Sequence, residues 1–392
     1  MGILNEIYLL AEPAVIKTMK NMIQNFSQFC VLGALIFMAA CEGDYRQRAI
    51  GENSEIFVVM DSTQHDSETA IALRETFGKT IETFPNRRES LYNLRFRDFR
   101  NNEELDQLRK FKNLIFAAPI DQESNTGAFI RAILSDEVES RVRADESFAF
   151  PLNDQWYRDQ WSLVLTSTSD SSLAAKIRSA GQRLVKSALD KEFDRWERTV
   201  FRRAEQTQLS DSLWADYGWK VRIQHDYVQT VDSANVVVFR RYLPDNDRWM
   251  WGWWQDDVQD PEFINPDWIN ATRDSLMEIF IRGEREKSYV TTEYRRPVLT
   301  EEMNTGNRLS GWETLGTWRM TADFMGGPFV NFTYYDPATN RVFMVEYGQF
   351  APSVTKRRFV QQFRAMGRTF ESDSSFTPNN YPDNYLEKVA QQ

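Results

Sequence analysis

The spacing of apolar residues changes near residues 208–216, and that change constrains the fold more than any other feature of the chain. Before it, short apolar runs suited to buried strands alternate with stretches whose apolar positions recur every three or four residues. Strands are predicted over residues 55–60, 90–96, 114–118 and 161–166, with Leu91, Leu94 and Phe96 as the buried positions of the second and Pro119 closing the third. A helix carrying Ala70, Leu73, Phe77 and Ile81 joins the first two strands. Further helices are predicted over 103–110, 128–142 and, the longest, 173–205. Such alternation is the pattern of an α/β layer structure.

After the change, strand patterns dominate. Residues 220–231 alternate with Val221, Ile223 and Val228 inward, and two further strands, 236–242 and 249–254, flank a turn at Pro244-Asp245-Asn246-Asp247. A helix over 269–282 and a strand over 285–295 follow, then a meander of strands over 312–322, 329–335 and 341–347, and a closing helix over 354–370. The expected fold class is α+β or α/β in two layered subdomains. An α/β subdomain spans 55–210, an antiparallel strand-rich subdomain with flanking helices spans 211–372, and a polar tail spans 373–392.

The N-terminal region carries an address. A basic start at Lys20 leads into an apolar core over residues 29–40 and ends in Met38-Ala39-Ala40-Cys41. A membrane-spanning helix needs about 20 apolar residues, whereas a signal-peptide core is shorter. The small residues before Cys41 resemble a bacterial lipobox, with Met38 where leucine is usual. The expectation is a signal peptide over 1–40, initiation at Met19, acylation of Cys41 and a polar tether over 41–54. Cys30 falls inside the leader, so the mature chain is expected to carry no free thiol. That excludes a cysteine nucleophile, a thiolate metal site and a disulfide framework.

Charge and motif content exclude several function classes. Asp and Glu number 57 against 47 Lys and Arg, a net charge of −10, which is unsuited to a phosphate backbone, so no nucleic-acid partner is expected. His65 and His225 stand at no metal-ligand spacing, so no metal is expected either. His65 beside Asp66 reads first as a polar surface turn. There is no Gly-x-Ser-x-Gly elbow, phosphate loop or dinucleotide fingerprint, and no cofactor is expected.

Three features remain as candidates. Asp256, Asp257, Asp260 and Glu262 form an acidic group able in principle to do glycosidic acid/base chemistry or hold a hard cation. Trp249, Trp251 and Trp253 alternate onto one face of a strand while Trp254 points the other way. Core packing is the simpler reading of these tryptophans; any that are exposed, with Trp312, are candidates for stacking on a sugar or peptide. Gly326 and Gly327, in the turn Met325-Gly326-Gly327-Pro328-Phe329, permit a tight bend or a close ligand approach.

The chain also resembles a family of Bacteroidota envelope lipoproteins known as a domain of unknown function (DUF4837). The segments that carry the resemblance are Ala72-Leu73-Arg74-Glu75, Phe84-Pro85, Glu89-Ser90-Leu91-Tyr92, Lys112-Asn113-Leu114-Ile115, residues 283–290, Thr291-Thr292-Glu293, Gly311-Trp312, residues 325–329, Ala351-Pro352 and Lys356-Arg357. The resemblance extends over nearly all of the mature chain. It implies a lipid-anchored envelope protein and supplies no catalytic residues. The expected role is binding or scaffolding towards an envelope glycan, peptide or protein, with attachment to the outer membrane through the N-terminal lipid. The alternative is a hydrolase of an envelope polymer working through the carboxylates of residues 256–262.

Overall fold

A computed structural model describes residues 45–85, 88–243, 246–306, 308–377 and 381. Contacts divide the chain into residues 1–47 and residues 48–392, and the described secondary structure lies in the second unit.

Short β-branched runs separated by helix-capping residues build the first half. In chain order they are β1 (Glu55–Val59), α1 (Glu68–Phe77), β2 (Asn93–Arg97), α2 (Asn102–Leu108), β3 (Asn113–Ala117), α3 (Asn125–Ile133), α4 (Asp136–Arg143), β4 (Ala149–Pro151), β5 (Trp161–Leu165), α5 (Asp170–Ser179) and α6 (Gly181–Val200). Ser67, Asn101, Ser124, Ser135 and Ser169 each accept a backbone N–H at the start of a helix, satisfying donors that the helix itself leaves open. The strands order as β2-β1-β3-β5-β4, parallel except for β4.

β3 and β5 are buried at every position, as strands covered on both faces must be. Leu73, Phe77, Leu173, Ile177 and Leu184, from α1, α5 and α6, pack on one face against Ile56, Val58, Ile115 and Leu163. Leu105, Phe129, Ile130 and Val142, from α2, α3 and α4, pack on the other against Phe57, Val59, Leu114 and Phe116.

Three predicted elements differ here, each for a local reason. The helix expected over 128–142 is two helices, because Leu134 adopts extended backbone and Ser135 starts a new cap. The helix expected over 173–205 divides at Ala180 and ends at Val200. Ile81 lies beyond the end of α1, and Leu94 and Phe96 are half-buried because β2 is the sheet's edge.

The second half runs α7 (Thr207–Tyr217), β6 (Trp219–Lys220), β7 (Val228–Ser233), β8 (Val236–Arg241), β9 (Asp247–Gln255), α8 (Pro266–Phe280), β10 (Val290–Thr292), β11 (Leu299–Met303), β12 (Ser310–Met320), β13 (Gly326–Asp336), β14 (Arg341–Phe350), α9 (Arg357–Gly367) and β15 (Glu371–Ser372). The large sheet is antiparallel in the order β10-β12-β13-β14-β9-β8-β7, with β11 also on β12. Its period-two patterning fills both faces. Val237, Phe239, Met250, Trp254, Phe343, Val345 and Tyr347 share one core with Val360 and Phe363 of α9. Val236, Val238, Trp249, Trp251, Trp253, Val342 and Met344 share another with Ile269 and Met277 of α8.

The strand expected over 220–231 is interrupted. β6 pairs with β15, and only β7 joins the large sheet, as an edge that leaves Val228 59 % exposed rather than inward. The strand expected over 285–295 shrinks to β10, because the Ser288 amide bonds the Arg285 carbonyl and closes a turn first. α9 lies between α6 and the large sheet and ties the halves together. The Arg357 guanidinium donates twice to the Glu192 carboxylate (2.9 and 2.8 Å), and Glu89 accepts the Lys356 and Arg357 amides at 2.7 and 2.9 Å.

Candidate functional site

Where a doubly wound sheet ordinarily offers a ligand site, outside the carboxyl ends of β1 and β3, this one is filled from within. The Asp170 carboxylate accepts the Glu68 and Thr69 amides at the start of α1 (3.0 and 3.2 Å), and Asp98 accepts the Ser62 amide at 3.1 Å. An internal carboxylate thus takes the place an anion would occupy at that helix N-terminus.

An open site lies elsewhere, between the loop that follows α1 and the β10–β12–β13 corner of the large sheet. It is a cleft of about 1090 Å³, and a smaller hollow of about 530 Å³ shares Glu293, Arg295 and Arg319 with it. The loop is a closed hairpin-like excursion, with Ile81 bonded to Glu89 and Leu91 to Lys79. Phe84 at its tip is buried in the second half's core, which pins Pro85 and Arg88 to the rim. Two hydrogen bonds lock it across the cleft: Thr317 Oγ1 donates to the Thr83 carbonyl at 2.5 Å, and Arg296 Nη1 to the Phe84 carbonyl at 3.0 Å.

Both walls carry charge. Arg88, Arg295, Arg296 and Arg319 line the cleft against two carboxylates, Glu82 and Glu293, so four positive charges less two negative leave +2. That sign opposes the chain's net −10. Glu293 is engaged by Arg295 at 2.6 Å and by Arg319 at 3.7 Å. The Arg295 hydrogen bonds hold its carboxyl down at about 2 against the opposing effect of burial. Trp318 floors the cleft, donating its indole N–H to the Gln349 carbonyl at 3.2 Å and meeting Trp249 edge-on at 4.9 Å. At the lip Phe324 is fully exposed and Met325 partly so.

The predicted residues fall as follows. Gly326 lines the cleft, and a Cβ there would meet the Trp318 carbonyl at 2.9 Å. At Gly327 a Cβ would lie 1.9 Å from the Gln349 carbonyl, so the close approach of β14 demands glycine. Trp249, Trp251 and Trp253 do share one face and are buried at 4, 1 and 8 % exposure, with half-buried Trp312 packed on the same cluster. Trp254 faces the other core.

The four acids do not converge. Asp256 accepts from Arg341 Nε at 2.7 Å and from the Tyr381 hydroxyl, Asp260 caps the Glu262 amide, and Asp257 and Glu262 stand in solvent. Among the described residues no three His, Cys, Asp or Glu side chains are placed to hold a metal ion. His65 turns Nε2 towards the Met60 carbonyl at 3.4 Å, and its ring lies beside Phe96. Cys41 and the leader lie outside the described residues, as do Pro244 and Asp245 of the predicted turn.

One buried carboxylate could be mistaken for a site. Burial pushes the Glu346 carboxyl above its ordinary value, although Arg273 lowers it. Both residues are fully buried, joined by two 2.8 Å hydrogen bonds, with Asn331 as a further donor. Sealed and paired, they form a structural tie beneath α8.

Sequence reasoning missed the cleft arginines and Phe324. The available signals were Arg295-Arg296 immediately before Pro297, and two large apolar residues, Phe324-Met325, immediately before two glycines. Both patterns place bulky groups where the backbone is turning and cannot bury them.

Residues 206–369 match the family model of a domain of unknown function (DUF4837), and residues 49–201 match a second, also a domain of unknown function (DUF8532). A DUF4837 domain is therefore present in the second half rather than over nearly the whole mature chain. No curated protein matches the chain. The cleft draws its walls from both matched segments: Thr80 to Arg88 from the first, Glu293 to Gly326 from the second.

Proposed function

We propose that this chain is a lipid-anchored lipoprotein of the bacterial cell envelope, of a Bacteroidota type, that binds a glycan, peptide or protein partner through the arginine-lined cleft. The observation that carries the binding reading is the excess of four arginines over two carboxylates beside a fully exposed Phe324. Arginine forks grip carboxylates or phosphates, and an exposed aromatic ring supplies a stacking face. The chain's net −10 makes the local +2 a selective feature, because anions are repelled from most of the remaining surface. The dispersed acids of residues 256–262 supply no facing pair of carboxylates, which favours binding over polymer hydrolysis.

Anchoring is proposed through acyl groups on Cys41, in the outer membrane, facing the periplasm or the surface. The described helices include none long and apolar enough to cross a membrane.

Two measurements test the two parts separately. Expressed in a lipoprotein-processing bacterium, the native chain is expected to gain acyl mass at Cys41 and partition with membranes, while Cys41→Ala stays unprocessed. Identical mass and partition for both would remove the anchor. For the cleft, labelled poly-glutamate and polygalacturonate are titrated against the native chain and Arg295→Glu/Arg319→Glu. Reversing two charges is expected to weaken binding by about tenfold or more, and raised salt to weaken native binding. Failure of both probes to bind, or equal binding by the variant, would sink the cleft reading.

A further inference from the structure

A second feature lies away from the cleft, on the face of the large sheet covered by α9. Register places Gln349 of β14, Arg248 of β9 and Arg241 of β8 side by side across three neighbouring strands. Directly opposed residues on antiparallel strands project from the same face, so the two guanidinium groups are close neighbours. Both are nearly buried, at 8 % exposure for Arg241 and 5 % for Arg248.

Like charges directly opposite destabilise a sheet, and buried charges are ordinarily paired. Here pairing is sparse. Arg248 donates Nε to Asn246 Oδ1 at 3.1 Å and lies 4.3 Å from the Phe359 ring, with no carboxylate partner among the described residues. Arg241 donates Nη1 to Gln224 Oε1 (3.2 Å) and Nη2 to His225 Nε2 (3.0 Å). Its one carboxylate partner among the described residues is the largely exposed Asp226, at 3.6 Å.

Because His225 Nε2 accepts from Arg241, its Nδ1 carries the proton, and that N–H has no acceptor among the described residues. The Arg241 Nε–H and the Tyr227 hydroxyl are in the same condition. Arg203 and Arg358 add further positive charge from outside. Against these donors stand the neutral Gln349 Oε1, itself without a partner among the described residues, and the largely exposed Asp226, 3.5 Å from His225 Nε2, so positive charge remains in excess.

We propose that Arg241 and Arg248, with His225 and Tyr227, form a binding site for a small tetrahedral oxyanion of the phosphate or sulfate type. Two planar guanidinium forks suit multiple oxygens on one centre, and an anion between them converts a repulsion into two charge-assisted contacts. The near-complete burial of Arg248 restricts the site to a free anion or the terminal phosphate of a larger molecule. A phosphate held within a bilayer surface cannot reach it.

The test is thermal unfolding of the full chain in phosphate, sulfate or glycerol 3-phosphate against chloride at matched ionic strength, with calorimetric titration alongside. A ligand well above its dissociation constant is expected to raise the native Tm by roughly 2 °C or more over chloride. A rise with glycerol 3-phosphate as well as inorganic phosphate assigns the site to terminal phosphates, and a rise with inorganic anions alone assigns it to free oxyanions.

Arg241→Gln is expected to abolish the rise while keeping at least the native Tm in chloride, because it removes a like-charge neighbour. Should that variant not fold, Arg241→Lys keeps the charge without the fork and is expected to bind about tenfold more weakly. Equal Tm in chloride and all three oxyanions, or an undiminished rise in Arg241→Gln or Arg241→Lys, overturns the proposal.

Discussion

Glu192→Ala is expected to lower the unfolding free energy by about 3–5 kcal/mol, the usual cost of stripping one partner from a buried ion pair. Glu192 is fully buried on α6 and accepts three hydrogen bonds, two from Arg357 and one from the Trp196 indole at 2.9 Å. Truncation leaves the Arg357 guanidinium, 6 % exposed, with the Leu91 carbonyl and the Tyr92 ring. Tyr92 supplies no counter-charge: burial, the largest cause and one that persists in the variant, pushes its hydroxyl well above the ordinary tyrosine value. Glu192→Gln keeps volume and one acceptor, so a smaller loss is expected.

The consequence reaches the cleft through the chain itself. Leu91 closes the loop that carries Thr80 to Arg88, and Glu89 in that loop caps α9. Amide exchange over residues 79–92 is therefore expected to accelerate in Glu192→Ala at denaturant concentrations well below global unfolding. A urea midpoint shifted by less than the equivalent of about 1 kcal/mol would mean that the two halves are held by their apolar contacts instead.

The sequence displayed what depends on local pattern. Alternation in Trp249-Met250-Trp251-Gly252-Trp253-Trp254 announces a strand that puts Trp249, Trp251 and Trp253 on one face and Trp254 on the other, because the two-residue repeat is a property of the strand itself; that both faces are buried is a product of the fold. The buried strands of the first half were legible from short unbroken apolar runs such as Leu114-Ile115-Phe116-Ala117, which suit a strand covered on both faces. The break at Ala180 was signalled only by Gly181, a poor helix former, and went unread because helical spacing of the apolar residues continues across it from Ile177 to Leu184. Val228 looked inward because alternation says which residues share a face, whereas only strand order says whether that face is covered.

The cleft was illegible for a stronger reason. Its walls come from segments as far apart as Thr80 and Gly326, and singly its arginines resemble any solvated residue. The Arg241–Arg248 juxtaposition likewise exists only once β8 and β9 are in register. Buried carboxylates such as Glu192 and Glu313 read from sequence as the polar stripe of a helix or the outer face of a strand. Their burial is a product of the arginines that α9 brings to them.

Acid is expected to weaken the protein through Glu313, which sits on β12 at 4 % exposure. Burial by itself would raise this carboxyl. Arg364 at 3.0 and 2.7 Å, with Arg368 at 2.6 and 3.0 Å, outweighs it and holds the group well below the ordinary carboxylate range. A depressed folded pKa means that the folded state binds this proton less readily than the unfolded chain. The stabilisation is therefore complete above the unfolded value near 4.5 and drains away as pH falls below it.

Asp154 and Asp336 are depressed as well and share the sign, whereas Glu346, raised by burial, contributes in the opposite sense and partly offsets them. Glu313→Gln isolates the one group. At pH 7 it leaves Arg364, nearly buried, without its carboxylate, a loss of about 3 kcal/mol or more by the cost of breaking a buried pair. From about pH 4.5 downward the gap between native and variant urea curves is expected to narrow steadily, because the unfolded chain takes up a proton that folded Glu313 does not, and it closes only as pH nears the folded value, well below the ordinary carboxylate range. A gap unchanged from pH 5 to pH 3 would show that Glu313 titrates alike in the folded and unfolded chain, and would move the acid lability to Asp154 and Asp336.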